Sequence, residues 1–265
     1  MTTLQIVVLA IVQGLTEFLP ISSSGHLVLV PYLVDWPDQG LAFDVAVHFG
    51  SLLAVCAFFR NDLLGLLRGG LQLVSGDIGS PQATMAFGIA LGTIPAAIAG
   101  LLFAGRIETN LRDPRIIVYT LAGYGMLMAL ADRYSRREKS ISEVRIRDAL
   151  VIGVAQALAL VPGTSRSGIT ITAGRLLGFE RQDAARFSFL LSAPVILLAT
   201  VYKGAELILG DNHVAWGELA LGIVVSAIVA YLSIEFFMRV VSRIGLAPFA
   251  IYRLLLAGVI IYVLA

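Results

Sequence analysis

A short polar cassette occurs twice in this chain, each time inside an otherwise apolar stretch. The first copy runs Gln13-Gly14-Leu15-Thr16-Glu17-Phe18-Leu19-Pro20-Ile21-Ser22-Ser23-Ser24-Gly25-His26. The second runs Gln156-Ala157-Leu158-Ala159-Leu160-Val161-Pro162-Gly163-Thr164-Ser165-Arg166-Ser167-Gly168. The glutamines and the closing Ser-Gly pairs are 143 positions apart, and the prolines 142. A chain that must bury the same broken, polar segment twice reads as an internal repeat, with its functional site where the copies meet.

The surroundings of the cassettes set the solvent. The chain is 58% hydrophobic and only 14% charged, with a mean hydropathy of +0.87, outside the range of soluble domains. Several apolar runs reach the roughly 20 residues that cross a hydrocarbon layer about 30 Å thick, so a polytopic membrane protein is expected. A net charge of +1, with no basic cluster interleaved with aromatics, argues against nucleic acid as a partner. Cys56 is the single cysteine, so no intrachain disulfide can form. With no basic n-region and no small-residue cleavage site, residues 1–20 read as mature protein.

Apolar segments fall at about 4–21, 26–34, 41–59, 84–105, 115–131, 149–162, 168–178, 184–202, 215–237 and 247–264. The short pairs 4–21 with 26–34 and 149–162 with 168–178 each flank a cassette, and read as re-entrant hairpins. Irregular backbone at membrane depth is tolerated only where protein or a wet cavity surrounds it. The other six segments then span fully, three after each hairpin. The expected fold is an all-α, polytopic membrane protein of two inverted repeats, each a re-entrant helical hairpin plus three transmembrane helices. It forms one membrane domain over 1–265: repeat one about 1–131, a loop about 132–148, and repeat two about 149–265.

Charge orients it. The loop 132–148 carries Arg133, Arg136, Arg137, Lys139, Arg145 and Arg147, which the positive-inside rule places in the cytoplasm. Counting from there puts both termini outside, and also the segment with Arg106, Arg112 and Arg115, a mild violation. Hairpin one then enters from outside and hairpin two from inside. The stretch 69–82 reads as a flexible cytoplasmic loop. Gly88, Gly92, Ala96 and Gly100 share a helix face for close contact, serving either a homodimer interface or internal packing. Glu235 and Arg239 read as a local ion pair.

The chemistry sits in the cassettes. Glu17 is an ionisable residue in a membrane segment, by default a functional one; it could bind a metal, accept a proton or hold a polar partner. Gln13, four residues earlier, shares its helix face. Ser22, Ser23, Ser24 and Gly25 make a small-residue loop opening onto a new helix, a setting in which hydroxyls and free N–H groups bind anions. His26 adds a general acid–base or a nucleophile. In the second loop Gly163, Thr164, Ser165, Ser167 and Gly168 surround Arg166, whose guanidinium suits a phosphate. Glu17 itself is the competing partner for Arg166. Asp44 and Asp183 read as helix-start residues, His48 more as structural than as cavity-lining, and His213 as solvated in its polar loop.

These residues resemble the undecaprenyl-diphosphate phosphatase family, known also as the bacitracin-resistance phosphatases. The resemblance covers the whole chain. It rests on the [Glu/Gln]-x-x-x-Glu pattern at Gln13 and Glu17, on Pro20 to His26, and on Pro162 to Gly168. It implies an enzyme of the bacterial plasma (inner) membrane that removes the terminal phosphate of a C55 isoprenoid diphosphate lipid. The active site would face the extracytoplasmic side and use a divalent cation, Mg2+ or Ca2+. Carried over by position, it assigns Glu17, Ser23, His26 and Arg166 to the catalytic centre and Ser165 and Ser167 to the diphosphate, with the metal at Glu17. Many members carry glutamate where this chain has Gln13, which puts a ligand role there in doubt. Ser23 activated by His26 is the favoured nucleophile, with His26 itself or water as competitors. A transporter or flippase of a phosphorylated lipid is the rival reading, since inverted repeats with broken helices also build transporters.

Overall fold

The computed structural model describes residues 1–77, 79–111, 113–135, 139–209 and 215–264. Arg112, Arg136, Arg137 and His213 lie outside the described residues. Among those described, the chain is helical throughout: α1 (Thr3–Thr16), α2 (Ser23–Leu33), α3 (Gly40–Phe58), α4 (Arg60–Val74), α5 (Pro81–Asn110), α6 (Pro114–Tyr134), α7 (Ile146–Leu158), α8 (Arg166–Leu176), α9 (Arg181–Leu209), α10 (Trp216–Ile244) and α11 (Ala247–Leu264). Six are long and apolar enough to cross a membrane: 40–58, 81–103, 115–134, 181–207, 216–244 and 247–264. These are the six spans anticipated from hydropathy, and the chain is a multi-pass membrane protein.

The pairs α1–α2 and α7–α8 are the two hairpins. At 14, 11, 13 and 11 residues, each helix reaches roughly 16–21 Å at a rise of about 1.5 Å per residue, too short to span. Their ends follow from sequence. Thr2 and Gln5 form a reciprocal capping box at the start of α1. Pro20 and Pro162 sit in the turns that break the hairpins. The turn of the second is closed by Gly163 at φ +84°, where a Cβ would lie 2.2 Å from the Thr120 hydroxyl, so only glycine fits.

The packing between halves is reciprocal: α1 lies against α10 as α7 lies against α5, and α3 meets α9 while α6 meets α11. Each hairpin is therefore seated on a span of the opposite half. Glycines permit the approach. A Cβ on Gly153 would stand 2.4 Å from the Gly92 carbonyl, and Gly88 faces Ala149. Gly88, Gly92 and the buried Ala96 thus serve internal packing, one of the two uses anticipated, while Gly100 has open space around it.

Residues 69–74 are not loop, contrary to expectation. They complete α4, whose Leu63, Leu66, Gly69 and neighbouring leucines recur at helical spacing. Gly69 is buried because α5 passes so close that a Cβ would meet the Gln82 carbonyl at 2.1 Å. Away from the cassettes, Asp132 on α6 accepts from Arg181 at 2.7 Å, Arg175 at 3.2 Å and the Leu246 amide at 3.0 Å, tying α6, α8 and α9 to the junction of α10 and α11.

Candidate active site

Both cassettes fold the same way at their second turn. Ser22 caps α2 at φ 78° and Ser165 caps α8 at φ 68°, a left-handed conformation rare for residues other than glycine. Each serine hydroxyl accepts from the amide three residues on: Gly25 to Ser22 at 3.4 Å, Gly168 to Ser165 at 3.1 Å. Among the described residues the only other non-glycine at positive φ is Asp35; the same strained turn at equivalent positions of both cassettes points to a shared role. In each turn it leaves the first helical N–H groups without intrahelical acceptors. Two helix N-termini therefore face the same region, each able to hold an anion.

The register puts Ser23 and Arg166 at the same position of the two turns, and both reach Glu17. The Glu17 carboxylate is 6% exposed. Its Oε1 accepts from Arg166 Nη2 at 2.8 Å. Its Oε2 accepts from the Ser23 hydroxyl at 2.5 Å and from Gln13 Nε2 at 3.0 Å, with His48 Nε2 at 3.6 Å. The ion pair between Glu17 and Arg166, weighed above as a competitor to ligand binding, is present. It does not exhaust the guanidinium: Arg166 Nη1 is buried with no partner among the described residues. A buried donor left open is costly unless a ligand takes it.

The cluster forms the polar end of a cavity of about 360 Å³. Glu17, Ser23, Ser24, His48, Ser165 and Arg166 line that end, and Leu27, Val28, Leu160, Val195, Ile196 and Ala199 continue it as apolar wall. Lys203, on α9, lines the same cavity and pairs with Glu206 at 3.3 Å. The mixture suits an amphiphile with an anionic head.

Several of the anticipated residues make structural contacts instead. His26 is turned away from Ser23. Its Nδ1 lies 2.7 Å from the Ser22 carbonyl and its Nε2 2.7 Å from the Tyr252 hydroxyl, with the two rings stacked at 5.7 Å. A carbonyl only accepts, so Nδ1 carries the proton and Nε2 receives the tyrosine O–H. Both ring nitrogens are occupied, and the expected His26-to-Ser23 activation is not the geometry found. Ser167 donates to the Leu19 carbonyl at 3.1 Å, joining cassette two to cassette one. Thr164 is fully buried. Gly168 gives room, since a Cβ there would stand 3.0 Å from Arg253. His48, read from sequence chiefly as structural, is brought to the cavity: its Nδ1 bonds the Asp44 carbonyl at 2.7 Å, aiming Nε2 at Glu17. Helical spacing from Asp44 was the only signal for it.

The residues do not fit a resident cation at Glu17. Both carboxylate oxygens already accept from Arg166, Ser23 and Gln13, and a guanidinium 2.8 Å away repels a metal ion. No group of three or more His, Cys, Asp or Glu among the described residues is placed to hold one, and Gln13 supplies a neutral amide.

Fold and site together define a membrane protein whose duplicated hairpins join a carboxylate, a hydroxyl and a guanidinium over an apolar groove. The family model described as "Bacitracin resistance protein BacA" matches residues 6–259, and the chain belongs to that family. It is 52% identical to undecaprenyl-diphosphatase 2 of Stutzerimonas stutzeri (strain A1501), with 98% of each chain covered. It is 51% identical to the undecaprenyl-diphosphatase of Hahella chejuensis (strain KCTC 2396), over 99% of this chain and 98% of that one. With that of Teredinibacter turnerae (strain ATCC 39867 / T7901) the identity is 50%, over 99% of each.

Proposed function

We propose that this protein hydrolyses undecaprenyl diphosphate to undecaprenyl phosphate and inorganic phosphate, returning the lipid carrier to cell-wall synthesis and conferring bacitracin resistance. The observation that carries this is the convergence of Ser23 and Arg166, from two separate cassettes, on the two oxygens of Glu17 at the polar end of an apolar-walled cavity. Family membership and relatives of that name at about half identity support the same reading.

In this reading the diphosphate lies on the α2 and α8 N-termini, and the isoprenoid tail follows the apolar wall into the bilayer. Arg166 Nη1 and the free N–H groups hold the terminal phosphoryl oxygens, where negative charge develops during transfer. Ser23 Oγ attacks the terminal phosphorus, and its proton passes to Glu17 Oε2. The bond to the bridging oxygen breaks, and undecaprenyl phosphate leaves with the electron pair. Water then attacks the phosphoserine, Glu17 returns its proton to Ser23 Oγ, and inorganic phosphate carries away the proton of the water. His26 holds the Ser22 carbonyl, and with it the turn that presents Ser23.

Mg2+ or Ca2+ is proposed to arrive on the diphosphate rather than on Glu17. Magnesium titrated into the substrate-free protein should then give no binding heat, while a chelator lowers phosphate release from the lipid. The site is proposed to face the extracytoplasmic side of the inner membrane, following the basic loop 132–148. Any homodimer is proposed to avoid Gly88 and Gly92, which α7 and α9 already cover.

The test is phosphate release from C55 isoprenoid diphosphate by purified protein in detergent, beside Glu17→Ala and Ser23→Ala. Release by the wild type and loss in both variants is expected. No release from folded wild type would leave a carrier of phosphorylated lipid as the better account.

A further inference from the structure

Arg253, on α11, is among the most buried side chains of the protein, at 0% exposure, and it does not line the cavity. A guanidinium at membrane depth is expensive and needs partners. Its partners here are all backbone carbonyls: Nε donates to Leu121 at 3.1 Å, Nη1 to Thr164 at 2.9 Å and Pro20 at 3.5 Å, and Nη2 to Gly163 at 3.0 Å and Thr120 at 3.1 Å. A guanidinium has five N–H groups, so every one is used. Three of the carbonyls belong to the cassettes, one in the first and two in the second. Gly125 and Gly168 make room, since a Cβ on either would crowd the Arg253 side chain at 3.3 Å and 3.0 Å.

We infer that Arg253 is a positioning residue: from behind the site it clamps both hairpin turns in register, so that Ser23 and Arg166 meet one substrate phosphate. This rests on the phosphatase reading above. Two arguments lead from the contacts to that role. The cassettes come from opposite halves and meet directly through Ser167 with Leu19 and Arg166 with Glu17; Arg253 bonds to both from a third element, and so holds the two turns themselves. In addition, the C=O and N–H of a trans peptide point in opposite directions, and no peptide bond here is cis. Holding the Thr164 carbonyl therefore turns the Ser165 N–H away from Arg253, and Ser165 lines the cavity. The clamp thus aims a backbone donor at the ligand without touching it. Thr120 adds to the grip, its hydroxyl donating to the Pro162 carbonyl at 2.7 Å.

Lysine has three donors on a single nitrogen and cannot span five carbonyls. The experiment measures kcat and KM for phosphate release by the purified wild type, Arg253→Lys, Arg253→Met and Arg175→Lys, each normalised to folded protein by its thermal melt. Arg175 is an equally buried arginine in the Asp132 cluster, and its lysine variant serves as the control for replacing a buried guanidinium elsewhere in the protein. The clamp predicts kcat lower by about 10²-fold in Arg253→Met, the scale of a misplaced donor set. Arg253→Lys should recover part of that loss, KM should move only a few-fold, and Arg175→Lys should lose stability but not kcat per folded molecule. Should the Arg253 variants not fold, Gly125→Ala is the substitute: its Cβ would stand 3.3 Å from the Arg253 Cβ and 3.5 Å from its Nε, displacing the guanidinium without removing it, and kcat is expected to fall about tenfold. Full kcat per folded molecule in the Arg253 variants, or in Gly125→Ala where that stands in, overturns the clamp while leaving the phosphatase reading intact. No phosphate release by the wild type overturns both.

Discussion

Glu17 shows how one residue organises a site. Two backbone turns, 143 residues apart in the chain, deliver a hydroxyl and a guanidinium to its two oxygens, and Gln13 steadies it from one helical turn earlier. Arg166 is the most exposed of these roles to test. Its Nη2 is spent on Glu17 while Nη1 has no partner among the described residues, so its truncation removes an anchor and, in the proposed reading, a contact to the phosphate. Arg166→Ala should lower phosphate release by on the order of 10²–10³-fold with the protein still folded, read as turnover beside a melting curve. More than about a tenth of wild-type activity would exclude the role. His26 is a lesson in the opposite direction. Its place beside three serines reads as catalytic, but a histidine four residues after a carbonyl in a helix N-terminus can bond that carbonyl instead, and here it does.

At the scale of elements, function depends on how closely helices approach. The hairpins are too short to stand alone in lipid, so each is held by a span of the other half, and the crossing of α5 with α7 is made by glycine on glycine. Gly153→Val places two methyl groups where the Gly92 backbone already lies. Overpacking of this kind costs typically 1–3 kcal/mol, and more where the obstacle is backbone that cannot rotate aside. The variant should melt several degrees lower in detergent and lose activity with the displaced second hairpin; an unchanged melting temperature would mean that α5 and α7 are not packed as described. The glycine spacing on α5 was readable in sequence, but the partner was not, because nothing in a run of small residues says which helix it faces.

At the scale of the whole molecule, orientation decides which leaflet supplies the substrate. The charged residues of the loop between the halves, including Arg133, Lys139, Arg145 and Arg147, favour the cytoplasm. With the native Cys56 replaced by alanine, Ser142→Cys should resist a membrane-impermeant thiol reagent in intact cells and react after lysis, and Asp38→Cys should react in both. The reverse pattern would turn the site to the cytoplasm and require a different route for the lipid.

The spans, the short helical pairs and the residues that gather at the candidate site were legible in the amino-acid sequence, because each is a local property. About twenty apolar residues suffice to cross a bilayer, an apolar run interrupted by a polar Pro- and Ser-containing cassette cannot span as one helix, and a charge at membrane depth needs a reason. Glu17, Ser23 and Arg166 could therefore be named before any coordinates. Tertiary structure alone decided which of the polar groups face each other. The cavity took His48 and released His26, since the direction of a side chain depends on the turn that carries it and on partners distant in sequence, such as Tyr252 for His26. Arg253 was silent for the same reason: an arginine in an apolar helix shows its cost in the sequence, but its five carbonyl partners belong to three other segments. Only the folded chain brings those segments to one point.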